Sequence, residues 1–345
     1  MKSIIKNAIT LSLMALPMVA MAVEKPNFGN IRVVIGSKST GGDTYQASSI
    51  ISEALAEKLD TNVKVDAVGS SAAFSTLKRM RNGSTIMIFH DQSYLGNLYG
   101  KRGYFDIFDE FIIGPTFAIN PANAYLVPKN SPYNNLDEVI DAVGNGETIR
   151  VAIQPGGVSE IGFSAIKNAI KLKYPGKESN FIPVNTGSQS DKNQQLFDGL
   201  ADMIQGSLTA NEQFSRLPES DQKAMKFVWL TSAKETLAIA NKNGFGKLSK
   251  EEVDSYAEPS VMVPMDAQSN FTFDKEFFFL YNKNMPKDKI EYIDQALKEI
   301  YEEGLIQPKL EKAFFVPNFR ESKLAYQHLH QKNDKYKEIL ENITE

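Results

Sequence analysis

The chain has 345 residues and no cysteine, which excludes disulfides, thiolate metal sites, cysteine nucleophiles and a lipid-modified N-terminal cysteine. A formal charge of −4, with no basic cluster, argues against nucleic acid as a partner. Hydrophobic content of 42% is that of a globular protein, and the length exceeds what one core usually supports, so two domains are expected.

The first residues read as an export signal. Lys2 and Lys6 form a basic start, residues 9–21 are mostly apolar, and Ala20-Met21-Ala22 carries the small–x–small pattern of a cleavage site. Cleavage is expected after Ala22, leaving a protein free in the periplasm without a lipid anchor. The apolar run is too short to span a bilayer comfortably, and nothing after it approaches the roughly 20 apolar residues a membrane helix needs.

Ile31-Arg32-Val33-Val34-Ile35 is a buried strand by its β-branched run, bounded by Gly36. A helix over 44–59 follows, with Ile51, Leu55 and Leu59 four apart on one stripe. A strand at 63–65, a helix over 72–80 and a strand at 85–89 continue the alternation. The pattern restarts with strands near 124–127 and 149–153, a helix between them over 136–143, and a helix from about 159 to 173. Strands at 181–183, 203–205 and 227–230, with a helix over 189–197, extend it. Residues 241–273 are rich in Gly, Pro, Ser and charge and are expected to be partly irregular. A strand at 276–281, a helix over 288–303 and two further helices, after Pro308 and after Asn318, complete the chain.

Alternating strands and helices imply crossover units, hence an α/β fold of two lobes, each a mainly parallel sheet flanked by helices, with the ligand cleft between them. The first lobe is expected to comprise 23–120 plus about 235–345, and the second about 121–234.

One local pattern occurs twice. The strand at 31–35 runs into Gly36-Ser37-Lys38-Ser39-Thr40-Gly41-Gly42 and a helix. The strand at 149–153 runs into Gln154-Pro155-Gly156-Gly157-Val158 and a helix opened by Ser159. A glycine pair at a helix start lets unpaired backbone N–H groups and the positive end of the helix dipole approach an anionic oxygen. One such turn is more often only a tight turn; two, one per lobe, fit two halves of a carboxylate grip. Further polar residues follow other strands: His90, Asp91, Gln92 and Ser93; Thr186, Gly187 and Ser188; Gln205, Gly206 and Ser207. Each is read either as a helix cap or as a ligand contact. Asp43 reads as a cap, because a carboxylate would repel an anionic ligand.

These features resemble the receptors of tripartite tricarboxylate transporters, the Bug family. The resemblance rests on the two glycine turns, Ala54-Leu55-Ala56-Glu57-Lys58-Leu59, Ala118-Ile119-Asn120-Pro121, Leu126-Val127-Pro128-Lys129 and Ile182-Pro183. Gly187, Leu196-Phe197-Asp198-Gly199-Leu200-Ala201-Asp202 and Thr231-Ser232-Ala233-Lys234 continue it. It implies a monomeric, hinge-closing periplasmic receptor for a small organic carboxylate, such as citrate, a dicarboxylate, an acidic amino acid or an aromatic acid. It also implies delivery to a membrane permease of one large and one small integral subunit. The ligand-binding residues would be Ser37, Ser39, Thr40, Gly41, Gly42, Asp43 and Thr44 in the first turn. Gln154, Gly156, Gly157, Val158 and Ser159 would form the second, with Gln92 and Gln205 beside them. The sequence departs from the family at Gly36-Ser37, Tyr45, Pro155, Val158 and Ile161, and across 238–273. These departures leave the far end of the ligand open.

No cofactor or metal site is expected. His328 and His330 lie two apart on a predicted helix, cannot form an i, i+4 metal pair, and read as surface residues. No Gly-Lys-Ser/Thr follows Gly42, and Ile161 stands where a nucleophile elbow needs glycine. The favoured reading is a binding protein and not an enzyme. A receptor that signals to a membrane sensor, or a secreted hydrolase using His90 and Ser159, are the alternatives.

Overall fold

A computed structural model describes residues 25–121 and 123–344. The export signal and its cleavage site lie outside the described residues. The strands are β1 (Ile31–Ile35), β2 (Val63–Ala67), β3 (Thr85–His90), β4 (Phe111–Asn120), β5 (Asn123–Pro128), β6 (Ile149–Ile153), β7 (Phe181–Asn185), β8 (Met203–Ser207), β9 (Met225–Leu230), β10 (Lys275–Asn282) and β11 (Val316–Arg320). The helices are α1 (Asp43–Leu59), α2 (Ser70–Arg79), α3 (Gln92–Leu98), α4 (Ile107–Glu110), α5 (Leu136–Gly144), α6 (Val158–Lys173), α7 (Gln189–Phe197), α8 (Leu208–Ser215), α9 (Lys234–Ile239), α10 (Lys250–Ser255), α11 (Lys287–Glu302), α12 (Gln307–Lys312) and α13 (Ser322–Thr344).

Two sheets form the two lobes, with strand orders β11-β4-β10-β3-β1-β2 and β7-β6-β8-β5-β9. In the first, β1 pairs in parallel with β2 and β3, while β10 runs antiparallel to β3 and β4. In the second, β6 pairs in parallel with β7 and β8, and β5 runs antiparallel to β8 and β9. Both sheets are therefore mixed, with helices on their faces. The C-terminal ends of β1, β3 and β4 share one rim with the start of β10, where Lys275 pairs with Asn120 and Phe277 with His90. The ends of β6, β7 and β8 form the corresponding rim of the second lobe.

Burial explains the elements that the apolar spacing foretold. Ile51, Leu55 and Leu59 of α1 are fully buried against the first sheet, worth about 1.5–3 kcal/mol each. Strand β4 was not anticipated, because Gly114-Pro115 breaks its β pattern. A bulge opposite Phe279 accommodates that pair, and a Cβ on Gly114 would lie 2.7 Å from the Phe279 side chain. Strand β11, between the two expected terminal helices, was also missed, as were the short helices α3, α4, α8 and α9.

The chain passes between sheets twice, directly after Asn120 and through 231–274. In that second stretch α9, a short 3-10 turn (Lys242–Phe245) and α10 are regular between irregular runs. Phe245, Val253 and Ala257 nonetheless pack with Leu126, Phe227 and Leu230 of the second lobe. Helix α13 lies against β4 in one lobe and α6 in the other. Among the described residues, no helix is long and apolar enough to cross a membrane.

Candidate functional site

Both glycine turns sit on the strand-end rims, and both open a helix. Gly42 is the N-cap of α1 and Gly157 that of α6, and neither helix start is capped by a side chain. The next helices on the second rim differ: Ser188 caps α7 and Ser207 caps α8. Those two serines are thus caps. Asp43 is the first residue of α1 and not its cap, which corrects the sequence reading.

The first turn is folded by its own hydroxyls. Ser37 Oγ donates to the Ser39 carbonyl (3.1 Å) and accepts from Ser39 N (3.0 Å), and Ser39 Oγ accepts from Gly41 N (3.2 Å). Thr40 is exposed, and Thr44 is buried behind the helix start. A Cβ on Gly42 would meet nothing within 4 Å, so open space lies in front of this helix end.

The second turn is covered. Gly156 has φ +69, its N–H donates to the Glu160 carboxylate, and Lys101 of the first lobe donates to the Pro155 carbonyl above it. Ser159 Oγ accepts from Gln154 N (2.7 Å) and donates to the Gln154 carbonyl (3.2 Å). Val158 begins α6 half-buried. A Cβ on Gly157 would lie 3.7 Å from the Gln92 side chain, so Gln92 faces this turn from the opposite lobe. A relay then joins the two turns: Gln92 Nε2 donates to Tyr104 Oη (3.0 Å), Tyr104 to Ser70 Oγ (2.8 Å), and Ser70 to the Gly36 carbonyl (2.9 Å).

Charge is distributed unevenly between the rims. On the first, Asp43 accepts from Lys275 Nζ (2.7 Å) and Asn120 Nδ2 (2.8 Å). Burial alone would raise the Asp43 carboxyl, but Lys275 and these hydrogen bonds outweigh it and hold the group well below the usual carboxylate range. Beneath lies a buried ionic network, in which Lys332 pairs with Asp91 (2.6 Å) and approaches Glu276 (3.6 Å). His328 and Arg320 also bind Glu276 (2.8 and 3.2 Å). His328 is therefore hydrogen-bonded to a buried acid and is not a solvated histidine. On the second rim, Gln205 is buried and its Oε1 accepts from Lys192 Nζ at 2.7 Å. Burial, then Lys275 across the rims, push Lys192 down to about 7.

His90 is buried between Phe89 and Phe277, its Nδ1 accepting from Gln92 N (3.3 Å). Burial, then repulsion from Lys275, hold its imidazole well below its ordinary value and hence neutral. The Ser159 hydroxyl is committed to its own turn, so the two residues of the hydrolase alternative form no nucleophile–base pair. Among the described residues, no group of three or more His, Asp or Glu is placed to hold a metal ion.

Sequence reasoning missed Lys192, Asn120, Asn123, Tyr104, Lys101 and Lys275. One signal was available for Lys192: it lies four residues before Leu196, the apolar anchor of α7, and so on the buried face.

No protein-family model matches the sequence, and no curated protein matches it either. Solved structures do match along nearly the whole chain. The periplasmic binding protein BugD superposes with a TM-score of 0.64 at 15% identity, covering 91% of this chain and 97% of that one. MatC from Rhodopseudomonas palustris, with bound malate, gives 0.60 at 13% identity, covering 90% and 98%. A further Rhodopseudomonas palustris protein, solved with adipate, gives 0.67 at 13% identity, covering 91% and 97%. The architecture built above, two mixed α/β lobes with facing strand-end rims, is thus the fold of the Bug-type solute-binding proteins.

Proposed function

We propose that this chain is a periplasmic solute-binding protein of the tripartite tricarboxylate transporter type, which captures a small organic carboxylate and passes it to an integral-membrane permease of one large and one small subunit. It binds and does not catalyse. The lobes are 23–120 with about 235–345, and about 121–234, with Phe245, Val253 and Ala257 of the connecting stretch packed on the second lobe, and the ligand is held between them. One observation carries this reading: α1 and α6, one from each lobe, both start on glycine without a side-chain cap, while α7 and α8 beside α6 on the second rim are capped by serine; on the first rim α2 likewise starts uncapped, on Gly69. An uncapped helix start retains unpaired N–H groups and the positive end of the dipole. Charge-assisted hydrogen bonds of about 1.5–3 kcal/mol each, from two such ends, are enough for micromolar binding of a carboxylate. The ligands bound by MatC and by the adipate-bound neighbour are acids of this kind. The basic and apolar leader supports export.

The test is a thermal-shift screen of the purified protein, residues 23–345, against mono-, di- and tricarboxylates. A ligand at 100 times its Kd should add about 2.7 kcal/mol of stability. If sugars or amines raise the melting temperature and no acid does, the assignment is wrong.

A further inference from the structure

A buried lysine without a counter-ion is costly, because its desolvation goes uncompensated. Lys192 is such a residue. It is 5% exposed, and among the described residues no carboxylate lies within ion-pair distance of it. Its ammonium can only donate, so Gln205 must present its oxygen to it. That orientation turns Gln205 Nε2 toward Asn123 Oδ1 (3.2 Å) and leaves Asn123 Nδ2 as the free end of the chain. Asn123 Nδ2 is itself buried and has no hydrogen-bond partner. A lysine without a counter-ion and an orphaned amide donor thus occur in one hydrogen-bonded unit, and both can donate to an anionic oxygen.

The position fits a second group on the same ligand. Lys192 follows β7 and Gln205 lies near the end of β8, the two strands that flank β6 and its glycine turn. Adjacent strands are about 4.8 Å apart, so the lysine stands one or two strand spacings from the α6 start, within reach of a short diacid. On the opposite rim Lys275 neutralises Asp43 and removes the repulsion that carboxylate would exert.

We propose that Lys192 and Asn123 bind a second anionic group of the ligand, making this receptor selective for dianionic over monoanionic acids. This rests on the carboxylate-binding reading above. The glycine turns take one carboxylate by backbone amides, and the lysine takes the other by charge.

The experiment is isothermal calorimetry at pH 7 with two matched pairs, succinate against butyrate and adipate against hexanoate, on the wild type and Lys192→Gln. The amide of the variant can still donate to Gln205. The wild type should prefer the diacid of the better-binding pair at least tenfold. Lys192→Gln should lose that preference, bind the monoacid within threefold of wild type, and melt higher without ligand. An unchanged preference in Lys192→Gln, or equal binding of both acids by the wild type, overturns the proposal while leaving the carboxylate reading intact. Failure of every acid to bind the wild type sinks that reading instead.

Should the variant not fold, wild-type binding at pH 8 in Hepes and in Tris reports proton uptake. Titratable groups facing Lys192 are Lys275 of β10, with Asp43 of α1 and His90 of β3 behind it. Helix α7 also rests on β5, β6 and β8, where Tyr125 and Arg150 are committed to the Ser159 carbonyl and to Asp202. The diacid should take up a fraction of a proton and the monoacid none. No uptake with the diacid overturns the proposal.

Discussion

The two rims that face each other across the lobes are built on opposite principles. On the first, Asp43 meets Lys275, and the buried Asp91 and Glu276 meet Lys332, with His328 and Arg320 also on Glu276. On the second, the buried Lys192 amine donates to the Gln205 amide oxygen and, among the described residues, is paired with no carboxylate. The glycine turns differ in the same sense. The first is open in front of Gly42, whereas the second is roofed by Lys101 and Gln92, and its Gly156 N–H is already taken by Glu160. The lesson is that one sequence pattern, a glycine pair before a helix, serves two physical purposes. At Gly42 it leaves room; at Gly156 it permits a left-handed backbone.

The largest effect should come from breaking the charge balance of the first rim. Glu276→Gln strands part of a buried network and should cost about 3–5 kcal/mol in chemical denaturation. A loss under 1 kcal/mol would mean that Lys332 and Asp91 suffice alone. The pH dependence sharpens this. Burial would raise the Glu276 carboxyl, but Lys332, His328 and Arg320 hold it at about 2, below its ordinary 4.5. Its contribution is therefore complete above pH 4.5 and lost as pH falls toward 2, about 3 kcal/mol in all. Glu276→Gln should flatten that part of the stability profile. Asp274, two residues earlier, behaves oppositely: burial pushes it up to about 6, so its favourable protonated state is present below pH 3.8 and lost as pH rises through 6.

Smaller effects should separate the two turns. Gly156→Ala places a side chain at φ +69 and should cost about 1–2 kcal/mol of stability. Gly42→Val, whose Cβ meets no neighbour, should cost about 1 kcal/mol or less, as a poorer N-cap, yet weaken binding of the carboxylate found in the thermal-shift screen at least tenfold. Calorimetry that finds normal affinity for that acid in Gly42→Val would place the ligand elsewhere.

Much of this was legible in the residues. The α1 stripe of Ile51, Leu55 and Leu59, and the β-branched runs of β1 and β6, follow from periodicity alone, because one face of each must leave water. The turns were legible as well, since glycine pairs between a strand and a helix mark the chain's own punctuation. Strand β4 was hidden because its Gly114-Pro115 is tolerated only through a bulge against β10, a strand more than 150 positions later. The role of Asp43 was misjudged for a similar reason: Lys275, its partner, arrives from the far end of the chain.

Local pattern, then, determined the α/β alternation, the two glycine turns and the expectation of two lobes, because each depends on residues within one or two turns of backbone. Only the tertiary structure decided that Lys192 is buried without an acid, that Asn123 keeps an unused donor, and that the two rims carry unequal charge. Burial and electrostatic environment are set by which distant elements meet, and no spacing along the chain encodes that meeting.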